Sequence, residues 1–330
     1  MYKANLSQSE RQALNYEVYE MCRRGSLDFV APYQLWRTIR QTAPDIVHTH
    51  VVTGKYWGRA CAVLAGVPII VHTEHSSRPS IRLWEWPATS LLNLKTSAFV
   101  TFSERTAEFL RQRERASKLY VIHNGVEVSK PPSPAMRASA KATLGAEGKV
   151  VIGMVGNLLP VKNYGVALQA FSELPSHVRS QARLDIFGAG PLDATLKQQA
   201  AGLGLASEIV FHGFQADIQR ILLAFDLFLS TSLRESAPLS YLEAMNAAIP
   251  IVATPSMGTL DIVEDGATGI IVNSWEPNDI VRALERAISD PAWRRAAGLK
   301  SWERLKKDYD IELVADRHVE LYQRLLKGTA

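Results

Sequence analysis

The sequence predicts an α/β fold of two Rossmann-like domains, each a parallel sheet wrapped by helices. Three observations carry that expectation. Strand-like and helix-like segments alternate along nearly the whole chain, the pattern of parallel strands joined by crossover helices. The alternation breaks at Lys130-Pro-Pro-Ser-Pro134 and restarts at Lys149. The length, 330 residues, is too great for one ordinary core and suits two.

Each element follows from its local pattern. Amphipathic spacing predicts a helix over Tyr33–Thr42, and Asp45-Ile-Val-His48 reads as a short strand. A helix over Gly54–Ala65 leads to the strand Val67–His72. The strand Ala98–Thr101, a helix over Glu104–Arg113 and the strand Leu119–His123 follow, closed by the turn signal Asn124-Gly125. The proline-rich stretch is stiff and extended, so residues 1–128 form one expected domain and 129–148 a linker. Beyond it the predicted strands are Lys149–Val155, Arg183–Phe187, Ile209–Phe211, Asp226–Ser230, Ile249–Ala253 and Gly269–Val272. Helices over Tyr164–Ser172, Leu192–Ala201, 238–248, Asn278–Ser289 and Pro291–Lys307 complete a second domain, 149–307, and Ile311–Leu326 is a last amphipathic helix.

Composition narrows the function classes. Charged residues make up 21% and hydrophobic ones 47%, as in ordinary globular proteins. No apolar run reaches the roughly 18–20 residues that span a bilayer, so a cytoplasmic protein is expected. A net charge of +4 admits an anionic cofactor or lipid surface without singling out nucleic acid. Cys22 and Cys61 lack a C-x-x-C spacing and read as thiols rather than a disulfide. His48, His50, His72 and His75 crowd two strand ends, but no cysteine or carboxylate set completes a tetrahedral metal site, so no metal is expected. Ordinary packing is the alternative reading for His48, His50 and His72.

The densest chemistry lies in Ser230-Thr-Ser-Leu-Arg-Glu235-Ser-Ala-Pro238-Leu-Ser-Tyr-Leu-Glu243. A strand ends at Ser230, and Pro238 suits the first position of a helix. The free N–H groups of such a helix start attract a phosphate at the carboxyl end of a parallel sheet. Glu235 precedes the helix and Glu243 lies just inside it, on the same approach. Phosphate oxygens repel carboxylates, so both acids are expected to accept hydrogen bonds from sugar or ribose hydroxyls.

This stretch resembles the E-x7-E motif of the retaining glycosyltransferases of family 4, which have the two-domain GT-B fold. Further motifs match in order. They are Gly156-Asn157-Leu-Leu-Pro-Val-Lys162, Phe187-Gly188-Ala-Gly190-Pro191, Phe211-His212-Gly213-Phe214, and the run from Ala244-Met245 through Pro250–Thr254 to Gly266 and Gly269. The resemblance covers about residues 43–330. It implies a donor site for a nucleoside-diphosphate sugar made of Gly156, Asn157, Lys162, Gly188, Gly190, Gly213, Phe214, Glu235, Ser236, Ala237, Pro238, Leu239 and Glu243. Lys162 would neutralise the diphosphate leaving group, Glu243 would take the ribose hydroxyls, and Glu235 the sugar. The sugar nucleotide is a co-substrate, and no cofactor is implied. His75 corresponds to a histidine near the reacting sugar, which makes Glu235, Lys162 and His75 the expected catalytic set. Arg78 and Arg82, in a basic and aromatic segment after His75, are expected on the acceptor side.

Four positions depart from the family pattern. Asn157 replaces an arginine, Ala237-Pro238 replaces Phe-Gly, and Met257 replaces one of two glycines. The family also opens with strands that have no counterpart before Met1. Tyr16–Met21 resembles its third strand, so the first domain is expected to be N-terminally incomplete. Segment 308–330 is expected to pack back on that domain. The resulting expectation is a metal-independent, retaining hexosyltransferase. Its acceptor would be a saccharide or lipid-linked saccharide of surface polysaccharide or glycolipid synthesis, met at the inner face of the membrane. An inactive homologue serving as a partner subunit, and a sugar-nucleotide epimerase of the same architecture, are the alternatives.

Overall fold

The computed structural model describes residues 16–21, 29–75, 86–114 and 118–328. Two parallel sheets organise them. The first domain runs α1 (Val30–Thr42), β1 (Ile46–His50), α2 (Arg59–Ala65), β2 (Ile69–Thr73), α3 (Trp86–Lys95), β3 (Ala98–Thr101), α4 (Glu104–Glu114) and β4 (Leu119–Val121). Its strands lie in the order β1-β2-β3-β4, all parallel. Between β1 and α2 the chain passes through a helical turn, Val51–Thr53, and a π-helical stretch, Gly54–Gly58. Gly58 sits so close to β1 that a Cβ there would meet Thr49 Cγ2 at 2.9 Å, and glycine lets the helix dock on the strand.

The second domain begins with α5 (Pro134–Leu144), whose N-terminus is capped by the Ser133 hydroxyl accepting from Met136 N. It continues β5 (Val150–Val155), a 3-10 turn (Pro160–Lys162), α6 (Tyr164–Glu173), α7 (Ser176–Arg179), β6 (Ala182–Phe187), α8 (Asp193–Gly202), β7 (Ile209–Gly213) and α9 (Ile218–Leu222). Then come β8 (Leu227–Ser230), α10 (Leu239–Asn246), β9 (Ile251–Ala253), α11 (Met257–Ile262), β10 (Gly269–Ile271), α12 (Pro277–Ser289), α13 (Pro291–Asp308) and α14 (Ile311–Lys327). The sheet order is β10-β9-β8-β5-β6-β7, all parallel. Strand order therefore reverses between β5 and β8, and a crevice opens at their carboxyl ends, the position where such sheets bind ligands.

Apolar layers cover both faces of this sheet. Ile152, Leu168, Phe171, Leu184 and Leu284 pack on one side, and Val151, Phe225, Phe228, Tyr241 and Ile249 on the other. At the centre of β5 a side chain on Gly153 would overlap the Phe225 ring, at 1.8 Å, so glycine makes room for that aromatic. The two domains are joined at neighbouring points: Val126 and Asp310 form a parallel bridge, with Val126 N donating to Tyr309 O and Ile311 N to Val126 O. Beyond that bridge α14 lies on the first sheet, burying Val314 and Leu321 against Ile69, Val71 and Val100.

Two expectations are corrected here. Tyr16–Met21 forms no strand, and Tyr16 and Tyr19 are exposed. In a doubly wound sheet the third strand pairs with the second rather than with its successor in sequence, and among the described residues β1 is an edge with no such ladder beside it. The helix after Glu235 starts at Leu239, with Pro238 as its extended N-cap rather than its first residue. Gly258 packs against this loop, where a Cβ would lie 2.8 Å from Ser236 O. No helix among the described residues is long and apolar enough to cross a membrane.

Candidate functional site

Three glycine turns build the floor of the crevice. Gly156 N donates to Phe187 O, Gly188 N to Gly213 O, and Leu158 N to Ala189 O, which stitches the carboxyl ends of β5, β6 and β7 together. A Cβ on Gly188 would lie 1.9 Å from Gly156 O, and one on Gly190 2.6 Å from Leu158 O. Backbone thus meets backbone where a ligand's phosphates would need close approach. Phe214, after the Gly213 turn, is 75% exposed and presents a free aromatic face. Its neighbour His212 stacks on Phe187 at 4.2 Å and bonds the fully buried Asp185 at 2.6 Å, with Arg183 paired to the same carboxylate.

Lys162 and Glu235 meet at the switch point. Lys162 Nζ lies 2.5 Å from Glu235 Oε1, which also accepts from Ser232 Oγ at 2.7 Å. Their side chains are 24% and 11% exposed, so the pair is shielded yet reachable. The 3-10 turn that carries Lys162 is clasped by the loop after β8: Thr231 Oγ1 donates to Asn163 O and Leu233 N to Val161 O. Tyr164 donates to Gly156 O beneath the same cavity. Burial, with the Glu235 charge nearby, pushes the phenols of Tyr164 and Tyr241 up, so both remain protonated donors. Pro238 offers no side-chain acceptor, and no side chain caps the start of α10.

Glu243 is placed differently from the expectation that both acids share one approach. It lies half-buried inside α10 and lines a separate cavity of about 160 Å³ with Ser129, Lys130, Gln219 and Leu222. Burial pushes its carboxyl up, and no hydrogen bond or ion pair holds it among the described residues. Asn157 stands exposed in the loop after β5.

In the first domain His75 follows β2 and faces His50, with His50 Nδ1 and His75 Nε2 3.1 Å apart, and its ring edge meets Phe102. Burial lowers both histidines. His48 bonds Tyr322 of α14 at 2.6 Å and Thr73 at 2.7 Å, and burial followed by the neighbouring histidines lowers it to about 3. His72 is buried against Thr49 and lowered to about 2 by burial and then by Arg59 and Lys55. His48 and His72 are thus packed into the sheet, whereas His50 and His75 stand at its carboxyl edge. Arg78, Arg82 and Cys22 lie outside the described residues, and Cys61 is a buried free thiol. Among the described residues no three His, Cys, Asp or Glu side chains gather as a metal site. Ser232 and Asn124, which brace the Glu235 loop, escaped the sequence reading, because their partners lie 113 positions away or carry no motif.

Two parallel α/β domains joined at one hinge, with glycine turns and a Lys–Glu pair at the switch point of the second sheet, define the GT-B class. Within it, the chain belongs to the family described as Glycosyl transferases group 1, which matches residues 136–306, while residues 5–130 match Glycosyltransferase Family 4. It is 28% identical over 284 residues to the UDP-Gal:alpha-D-GlcNAc-diphosphoundecaprenol alpha-1,3-galactosyltransferase of Escherichia coli, covering 82% of this chain and 73% of that one. It is 29% identical over 283 residues to the GDP-mannose-dependent alpha-(1-6)-phosphatidylinositol monomannoside mannosyltransferase of Mycolicibacterium smegmatis, covering 79% and 73%. The crystal structure of Anabaena HepE in complex with UDP-glucose superimposes with a TM-score of 0.81 over 93% of this chain and 85% of that one, at 22% identity.

Proposed function

We propose that this chain transfers a hexose-type sugar from a nucleoside-diphosphate sugar to a saccharide or lipid-linked acceptor in surface polysaccharide or glycolipid synthesis. The configuration at the anomeric carbon is retained and no metal ion takes part. The observation that carries this reading is the Lys162–Glu235 pair beside the uncapped start of α10, at the switch point of the second sheet. The family and the two relatives, one named for a UDP-sugar and one for a GDP-sugar, support the donor class.

The residues divide the work. Lys162 and the amides of Leu239 and its neighbours stabilise the charge that develops on the leaving diphosphate. Glu235 accepts from sugar hydroxyls, and a nucleoside lying along α10 from Ser240 to the Glu243 cavity gives its ribose to that half-buried carboxylate. Gly213 and Phe214 receive the base. As the bond from the anomeric carbon to the diphosphate oxygen breaks, the acceptor oxygen attacks on the same face. Its proton passes to the departing phosphate oxygen. His75, neutral beside His50, orients the acceptor or the reacting sugar. A lipid-linked acceptor would bring the first domain, with the segment that includes Arg78 and Arg82, to an anionic membrane surface at the cytoplasmic face.

The test is a thermal-shift screen of UDP- and GDP-sugars, followed by hydrolysis and transfer assays beside Glu235→Ala. A bound donor raises the melting temperature by mass action. Equal turnover in wild type and Glu235→Ala would refute the site. A second reading, a weak homologue that supports a partner subunit, is favoured by Asn157 in place of a second cation. Binding of donor without hydrolysis or transfer to any acceptor would select it.

A further inference from the structure

The two chain crossings between the domains, Val126 and Asp310, pair with each other and so define one hinge. Gly125 is pressed against it, since a Cβ there would lie 2.9 Å from Ile311 Cα. The next residue back, Asn124, is the last of the first domain before the hinge, and its Nδ2 donates to Ala237 O at 3.1 Å. Ala237 lies two residues beyond Glu235, in the loop that leads into α10. The same loop is gripped from its other side, where Gly258 N of α11 donates to Glu235 O at 2.9 Å. A second contact from the first domain ends on α11: Arg105 of α4 pairs with Asp261 at 3.1 Å. Both tethers from the first domain therefore converge on the loop bearing Glu235 or on the helix that braces it. His123, Phe102 and Tyr309 close the small cavity between them.

We propose that Asn124 is a positioning residue that ties the Glu235 loop to the hinge, so that closure of the domains sets the donor site. A rotation at Val126 and Asp310 changes the reach from Asn124 to Ala237, and the loop loses its backbone anchor at Ala237 when the cleft opens. Arg105 contributes less, because its side chain is 53% exposed and its ion pair is screened by water. The effect on transfer rests on the function proposed above; the effect on the loop does not.

The experiment compares Asn124→Ala and the near-isosteric Asn124→Asp, which loses the N–H donor, with Arg105→Ala in the whole chain. Hydrogen exchange of residues 233–240 is measured with the melting temperature and with donor kinetics. Both Asn124 variants are expected to exchange these amides at least fivefold faster, with melting unchanged within 2 °C. Turnover per donor KM is expected to fall about tenfold, the worth of about 1.4 kcal/mol in one lost hydrogen bond. Arg105→Ala is expected to stay within about twofold. Asn124→Gln, which keeps the amide donor, should recover part of the loss. Unchanged local exchange in the Asn124 variants would overturn the proposal. So would faster exchange throughout the domain with a large fall in melting, which marks a merely structural residue. Local exchange that rises in a chain without transferase activity would support the tether and sink only the function.

Discussion

Replacing Gly188 with alanine tests the backbone-on-backbone floor of the crevice. Two penalties act at once. The residue has φ +147°, a conformation that L side chains rarely adopt, which costs on the order of 1–2 kcal/mol. The new Cβ would also lie 1.9 Å from Gly156 O, a backbone atom that cannot swing aside, so the β5 and β6 turns must part. Parting them breaks the Gly156 N to Phe187 O and Leu158 N to Ala189 O bonds, at about 1 kcal/mol each. The sum is about 3–4 kcal/mol, or roughly 6–16 °C in melting for a domain of this size. Gly204→Ala supplies the control, because that residue has φ +72° and nothing within 4 Å of its Cβ, leaving about 1 kcal/mol of strain and a shift of about 2–4 °C. Differential scanning calorimetry of the two variants separates clash from strain. Equal shifts would refute the argument that the glycine is required by contact.

Three further outcomes follow from the same geometry. Asn157→Arg restores a second cation at the exposed loop after β5, and donor KM is expected to fall about tenfold in steady-state kinetics; a change under twofold would show that the loop does not face the diphosphate. Glu243→Gln removes a half-buried, unpaired charge but keeps its shape. Melting should hold or rise slightly, and nucleotide affinity should fall about tenfold by calorimetry. His48 and His72, lowered to about 3 and about 2 from 6.5, are neutral when folded and protonated when unfolded across that window. The unfolded chain binds more protons there, so stability is full above about pH 6.5 and drains as pH falls, by up to about 1.4 kcal/mol per pH unit for each. Melting measured from pH 7.5 to 5 should fall, and His72→Gln should flatten the slope.

Much of the architecture was legible because short-range patterns govern it. Alternating strands and helices, the proline-rich break at 130–134 and the glycines at 156, 188 and 213 each express a local backbone demand that the structure meets. What escaped depends on distant partners. Tyr16–Met21 has the composition of a strand, but a strand exists only beside another, and sequence cannot supply the neighbour. Pro238 suits the first turn of a helix, yet its extended backbone makes it the N-cap and moves the start by one residue. The separation of Glu235 from Glu243 follows from where α10 begins and was invisible in their spacing alone. Likewise the stack of His48 on His50, and the bond from His48 to Tyr322, join residues up to 274 positions apart.

If the proposed function holds, the Lys162–Glu235 pair explains why the donor site requires both charges rather than a cation alone. A free lysine on a long stem would spread over many rotamers, and holding it for the diphosphate would cost about 2 kcal/mol of side-chain entropy at the moment of binding. Glu235 Oε1, itself fixed by Ser232, holds the ammonium in place beforehand. The carboxylate is aimed by a loop whose backbone is bonded to Gly258 on one side and Asn124 on the other. With Oε1 engaged by Lys162 and Ser232, its second oxygen is the one left for sugar hydroxyls. In the proposed site one residue thus presets the cation and reads the sugar, and shortening it to aspartate weakens both tasks at once. Glu235→Asp should withdraw the carboxylate by about one methylene, loosening Lys162 and the sugar contact together. Turnover and nucleoside-diphosphate affinity are expected to drop by at least tenfold, while affinity for the nucleoside alone, which has no diphosphate to meet Lys162, changes by less than threefold. A parallel loss of nucleoside affinity would place Glu235 in the nucleoside pocket and refute this division of labour.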